Sequence, residues 1–186
     1  MVTSSGSRGF TLIELMVALV IAGVVGMGIL KLFVFQHHAY LRQNEGILAT
    51  ENARAGFDTM LEEMANAGYD PRGTSGAGVT TWTSDSIGWT ADLNADGSIA
   101  GPDESVLYYF DADSSALVRR TAGVSTPVAD GITGLVLSYF RDADGNPATS
   151  ADEIQQVHLT LAYRTPEGVL AGRFESQVAI LNLIYQ

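Results

Sequence analysis

The stretch SRGFTLIELMVALVIAG, residues 7–23, decides how the chain begins and what the rest of it must do. An apolar run carries a glutamate, Glu14, near its start, with Arg8-Gly9 just ahead. A charge at the centre of a membrane helix costs about 2.5–3.5 kcal/mol on insertion scales, so a carboxylate here calls for a compensating partner. One such partner is local. Thr11-Leu12-Ile13-Glu14 has the capping-box spacing, with Thr at the N-cap and Glu at N3. A carboxylate in a first turn also suits the positive end of the helix dipole. Capping accounts for an acid at a helix start but not for the whole string around it.

Outward from Glu14, no charged residue occurs between Leu15 and Leu30, and the apolar character runs from Phe10 to Phe35. That is longer than the roughly 20 residues that span a bilayer. A secretory signal peptide would need a small-residue cleavage site after the run, and no clear A-x-A follows. A core helix of a soluble protein would need cover on all sides, which the remaining chain supplies poorly. A membrane anchor fits the length and leaves Glu14 unexplained. Arg8 precedes the run while Lys31 and Arg42 follow it, so the positive-inside rule is nearly silent on orientation.

Composition narrows the chemistry. The chain has 186 residues, room for one domain plus an appended element. Asp and Glu number 21 against 10 Lys and Arg, a formal net charge of -11. With no basic cluster to offset it, such a surface repels phosphate, which argues against a nucleic-acid partner. The absence of cysteine excludes disulfides, thiol catalysis and Cys-based metal sites.

Gly9-Phe10-Thr11-Leu12-Ile13-Glu14, followed by an apolar helix, resembles the cleavage and methylation motif of type IV pilins and type II secretion pseudopilins. The resemblance implies that a prepilin peptidase cuts between Gly9 and Phe10 and that Phe10 is N-methylated. It also gives Glu14 a second partner, the new N-terminal amine of a neighbouring subunit. The physics agrees: a desolvated ion pair of good geometry recovers much of the cost of a lone carboxylate in apolar surroundings. The same resemblance implies a leader at residues 1–9, a membrane and assembly half of the helix at 10–35, and a periplasmic α+β domain at 36–186. Inner-membrane lipid would surround the helix before assembly, and other major and minor pilins would do so afterwards.

Helical periodicity continues past the anchor. Phe57, Met60, Leu61 and Met64 recur at i, i+3, i+4 and i+7, and Leu41, Ile47 and Leu48 are compatible with the same helix. The pattern stops at Ala67-Gly68-Tyr69-Asp70-Pro71, where Gly68 is a candidate C-cap and Pro71 a stop. A helix from Thr11 to Ala67 would run roughly 85 Å, against a bilayer core of about 30 Å. Its second half must therefore bury a face on something else. Residues 72–101 are rich in Gly, Ser and Thr and read as loops with one or two short strands. Alternating patterns then predict strands at Ser105–Phe110, Ala116–Thr121, Ile132–Arg141, Ile154–Arg164 and Leu170–Leu183. Turn signals at 111–115, 130–131, 142–147 and 165–168 separate them. A long helix followed by consecutive antiparallel strands gives an α+β fold, the N-terminal helix packed on an antiparallel β-sheet, which is also what the pilin resemblance implies.

The stretch from Asp92 to Glu104 fits D-x-[DN]-x-[DN]-G, a pattern associated with calcium loops. Calcium takes six to eight oxygens, and positions one, three and five of such a loop converge on one point. Asp92, Asn94 and Asp96 would supply side chains, Ser98 its backbone carbonyl, and Asp103 or Glu104 the closing carboxylate. The twelfth position is Asp where the pattern prefers Glu, and the flanks look like strands where an EF-hand has helices. A solvated turn is the plainer reading of the same residues. Asp142 to Asn146 is a weaker echo that reads as a hairpin turn. His37 and His38 are adjacent and so face different sides of a helix, and His158 alternates with apolar neighbours as a surface strand residue would. No G-x-S-x-G, P-loop or H-E-x-x-H is present, which points away from an enzyme.

Within the superfamily, Leu61-Glu-Glu-Met-Ala-Asn-Ala-Gly68-Tyr69-Asp70-Pro71, the acidic loop and the strand Ile154–Leu161 most resemble minor pilins of the PilW kind. That resemblance implies a subunit that primes or caps pilus assembly. A type II secretion pseudopilin of the J kind, at the pseudopilus tip, and an adhesive pilus subunit are the alternatives.

Overall fold

A computed structural model describes residues 9–165 and 171–180, without the Arg42 side chain. The leader up to Arg8, residues 166–168 of the last turn, and residues 170 and 181–183 of the last expected strand lie outside the described residues. Two compact units divide the chain, Met1–Asn44 and Glu45–Gln186.

In the first unit the described chain is helical from Leu12 onward, the start of helix α1, Leu12–Met64. Its apolar side chains are exposed all round, Phe10 at 82% and Phe33 and Phe35 at 66%. This helix is long and apolar enough to cross a membrane.

The second unit begins with the rest of α1. Ala53, Phe57, Met60 and Met64 are buried there, the spacing of one helical face. Leu48 and Ile47, compatible with the helical pattern by sequence, are instead exposed at 56% each. They lie off the buried stripe. After α1, Ala67 donates to the Met64 carbonyl, and Gly68 takes φ +73. That left-handed turn costs glycine nothing and lies where the sequence predicts the stop, although α1 itself ends at Met64, three residues before the expected Ala67.

Among the described residues eight antiparallel strands follow: β1 (Val79–Trp82), β2 (Ser86–Thr90), β3 (Ser105–Asp111), β4 (Ala116–Thr121), β5 (Val124–Asp130), β6 (Ile132–Phe140), β7 (Gln156–Arg164) and β8 (Ala171–Ala179). They form two sheets, not the single sheet the sequence suggested: five strands in the order β1-β2-β3-β4-β5 and three in the order β6-β7-β8. The break falls at Gly131, whose φ of +70 turns the chain between β5 and β6. Both sheets and the helix share one core. Ile87, Tyr108 and Leu117 meet it from the first sheet, and Leu135, Leu159 and Leu161 from the second. A short 3-10 turn, Ala151–Glu153, precedes β7, which starts two residues later than expected.

Strand β5 was not expected. Its first four residues are exposed, it carries Pro127, and it is the sheet edge, where a missing N–H is tolerated. The helix nevertheless lies directly on its end. A Cβ added to Gly56 would sit 2.7 Å from Ala129 Cβ and 2.9 Å from the Val128 carbonyl. Asn52 Oδ1 accepts the Asp130 amide at 2.8 Å.

Candidate functional site

Glu14 stands in the first turn of α1. Its Oε2 accepts the Thr11 amide at 2.9 Å and the Thr11 hydroxyl at 2.8 Å, while Thr11 Oγ1 accepts the Glu14 amide at 3.3 Å. This is the reciprocal capping box that the spacing predicts. Phe10, one residue ahead of the cap, is exposed, and a Cβ at Gly9 would meet nothing within 4 Å. Gly9 and Phe10 are thus both exposed, directly before a capped helix. Glu14 stands four residues after Phe10.

The acidic loop joins β2 to β3, so its flanks are strands as expected. Five of the six candidate residues accept loop amides through their side chains, Ser98 with its hydroxyl and not the carbonyl expected of it. Asp92, fully buried, accepts Asp96 N at 3.1 Å and Gly97 N at 2.9 Å. Asn94 Oδ1 accepts Asp96 N at 2.8 Å, and Asp96 Oδ1 accepts Ser98 N at 2.8 Å. Ser98 Oγ accepts Ala100 N. Glu104, 2% exposed, accepts Leu93 N, Asn94 N and, at 2.6 Å, Gly101 N. The sixth, Asp103, leaves the loop for Arg119, Oδ1 to Nη2 2.8 Å. Among the described residues no three His, Asp or Glu side chains gather as a metal centre would require. In this geometry the loop closes on its own hydrogen bonds, and Asn94 Nδ2 donates to Asp96 Oδ2 at 3.0 Å between two of the candidate ligands.

Beside the loop lies a cluster that sequence reasoning missed. Arg119 Nε bonds Glu63 Oε2 at 2.8 Å and Oε1 at 3.1 Å, and the Tyr108 hydroxyl donates to the same Oε2 at 2.9 Å. One guanidinium thereby ties the end of α1 to β4 and to the acidic loop. Burial lowers the proton affinity of Arg119, but the hydrogen bonds to Glu63 and Asp103 outweigh it and hold its pKa above the usual arginine value. Burial, and then the Glu63 charge, raise the Tyr108 phenol, so both stay in their neutral-pH forms. The signal was an arginine on a strand whose preceding residues, Ala116, Leu117 and Val118, are all apolar: a charge following a buried run needs a partner. The Asp142 turn does what was expected of it, its carboxylate accepting the Asp144 and Asn146 amides. His158 is exposed on β7 and packs against Phe140, ring centroids 4.4 Å apart.

A long apolar helix with a capped acid at its start, leading into an α+β body, defines the class: a pilin-like arrangement. Residues 4–30 match the prokaryotic N-terminal methylation motif, so the chain carries the leader signature shared by type IV pilins and pseudopilins. No curated protein and no solved structure is matched by the chain.

Proposed function

We propose that the chain is a minor type IV pilin of the PilW kind, a structural subunit that primes or caps pilus assembly after cleavage between Gly9 and Phe10 and methylation of Phe10. The observation that carries this reading is the methylation motif placed on a helix whose large apolar side chains from Leu12 to Phe35 are exposed in the single chain. Such a surface needs lipid first and other helices afterwards. Glu14 would exchange its local partner Thr11 for the amine of an adjacent subunit. That exchange becomes available only once cleavage has freed the amine. In this reading the body stays on the periplasmic side of the inner membrane and then on the filament, and its role is interaction, not catalysis.

Mass spectrometry of the native protein tests the reading directly. A chain beginning at methylated Phe10 supports it, and a retained leader ends it. Deletion of the gene then separates the kinds of subunit. Loss of surface pili supports the pilus role. Loss of exoprotein export would assign a J-type pseudopilin, and retained pili without attachment an adhesive subunit. Calcium enters only as a further proposal, with Asp92, Asn94, Asp96, the Ser98 carbonyl and Glu104 as ligands and Asp103 committed to Arg119. Binding would have to compete with the loop amides. Calorimetry on wild type and Asp92→Ala decides it: heat and thermal stabilisation in wild type alone support a site, and their absence at millimolar calcium ends it.

A further inference from the structure

We propose that the free edge of β8 docks an extended segment of a different protein, one that reads basic, apolar, acidic over three residues and joins the sheet as an antiparallel strand. The β6-β7-β8 sheet shows which backbone groups are left over. Pairs that exchange hydrogen bonds alternate along an antiparallel ladder, so a central strand turns successive residues to opposite neighbours. Arg164 of β7 donates its amide to the Gly131 carbonyl, just before β6, at 2.9 Å. The Gln155 carbonyl, just before β7, accepts the Ile180 amide, just after β8, at 2.9 Å. Even-numbered residues of β7 therefore serve β6 and odd-numbered ones serve β8. Val157 stands opposite Val178 and Leu161 opposite Phe174. The amides and carbonyls of Ala171, Arg173, Glu175, Gln177 and Ala179 thus point away from the sheet.

Such a row is a template for another strand, and folded proteins guard it. The other edges here are guarded. β1 has four residues and an irregular register. β5 carries Pro127. β6 engages its outward groups within the chain, Leu137 N with the Ser84 carbonyl at 2.8 Å and the Tyr139 carbonyl with Ala148 N at 3.0 Å. β8 runs nine residues without proline or bulge, and among the described residues no strand pairs with its outer side.

The side chains of β8 define what fits. Arg173 and Glu175 lie on the exposed face and bond each other at 2.9 Å. Phe174, between them, faces inward and stacks on Phe57 and Tyr163. Opposite charges across a strand pair stabilise it, and like charges oppose it. In an antiparallel partner, Lys or Arg therefore faces Glu175, an apolar residue continues the inner face beside Phe174, and Asp or Glu faces Arg173. Main-chain hydrogen bonds supply the attraction and these side chains the register. Two copies joined β8 to β8 would be turned end over end about the sheet normal, which opposes the helices packed on those sheets. Chains inserted from one side of a membrane do not meet that way, so the partner is a different protein; that choice alone rests on the membrane reading above.

Arg173-Phe174-Glu175 itself meets the rule when run antiparallel, so a fluorescein-labelled peptide copying residues 171–179 is the probe. Its anisotropy is followed as the full chain in detergent is added. Saturable binding is expected, and about tenfold weaker binding of the peptide with arginine and glutamate exchanged, because two opposite pairs become two like pairs. The full-length variant Arg173→Glu/Glu175→Arg reverses that preference. Glu175→Pro abolishes binding and keeps the circular dichroism of the wild type, because the amide it removes faces outward. The reversed preference decides the matter if the proline variant does not fold. No saturable binding, equal binding of the two peptides, or an unreversed preference would overturn the proposal. Self-association of the full chain that Glu175→Pro abolishes would overturn it too, by assigning the edge to a second copy. None of these readouts involves the leader or Phe10. Failure here leaves the assembly role standing, and a retained leader leaves the edge standing.

Discussion

Replacing Arg119 with methionine should weaken the body of the protein through one residue above all, Glu63. The arginine side chain is 18% exposed, Glu63 30% and Asp103 57%. Breaking a fully buried ion pair by removing one partner costs about 3–5 kcal/mol, and an exposed pair is worth about 0–1 kcal/mol. Glu63 lies between these limits and keeps the Tyr108 hydroxyl, so its loss of Arg119 should cost about 2 kcal/mol. Asp103 is open to water, and Asp103→Asn should cost less than about 1 kcal/mol. For a body of this size about 2 kcal/mol corresponds to a fall in Tm of roughly 4–8 °C. Thermal unfolding of the full chain in detergent, followed by tryptophan fluorescence, reports on the right place, because Trp89 stacks on Tyr108 with centroids 5.7 Å apart and planes 9° apart. The double variant Arg119→Met/Glu63→Gln should be more stable than Arg119→Met alone, since it removes the stranded charge. A loss under about 0.5 kcal/mol for Arg119→Met, or an Asp103→Asn cost equal to that of Glu63→Gln, would refute the ranking of the two arms.

Other outcomes follow from the same structure. Gly56→Ala gains about 1 kcal/mol of helix propensity but meets Ala129 and the Val128 carbonyl, and such overpacking costs about 1–3 kcal/mol; a Tm at or above wild type would contradict the close approach. Asp92→Ala strips two charge-assisted amide bonds and should cost about 2–3 kcal/mol without any metal present, measured by denaturant unfolding in chelator. Thr11→Ala should lower helix content at the N-terminus by hydrogen exchange, in line with a cap loss of about 0.5–2 kcal/mol. Acid should destabilise the body. Asn146 holds the Asp142 carboxyl below its ordinary 3.8, Thr149 holds Glu153 below 4.5, and Ser114 and Asp113 hold Asp111 below 3.8. The unfolded chain takes up these protons first, so their stabilisation is complete above those ordinary values and is lost as pH falls through the depressed ones. A Tm that is flat from pH 5 down to about pH 3 would count against these contacts.

Much of the architecture was legible because it rests on local rules. Thr11 and Glu14 stand three apart and cap each other as that spacing dictates, Gly68 turns the chain just past the helix, and β4 occupies the residues expected of it. What was not legible depends on partners distant in sequence. Strand β5 hides behind Pro127 and behind a turn in which Ala122, at φ +48, takes a place usually held by glycine or asparagine. The division into two sheets is made by one glycine between strands that each look ordinary. The acidic loop's spacing fits converging ligands and a turn alike; in the structure its acceptors close Asx-type turns on neighbouring amides, and Glu104 is drawn inward to three of them. Arg119 finds Glu63 across 56 residues, which no window on the sequence reveals.

The contact at Gly56 has a further bearing. With no side chain between helix and β5, and with Asn52 fastened to the Asp130 amide and Thr50 Oγ1 within 3.2 Å of the Tyr163 hydroxyl, this part of α1 cannot roll about its axis. The stripe opposite, Glu51, Ala55, Asp58 and Glu62, therefore points the same way in every molecule. A missing methyl group sets that outward bearing here.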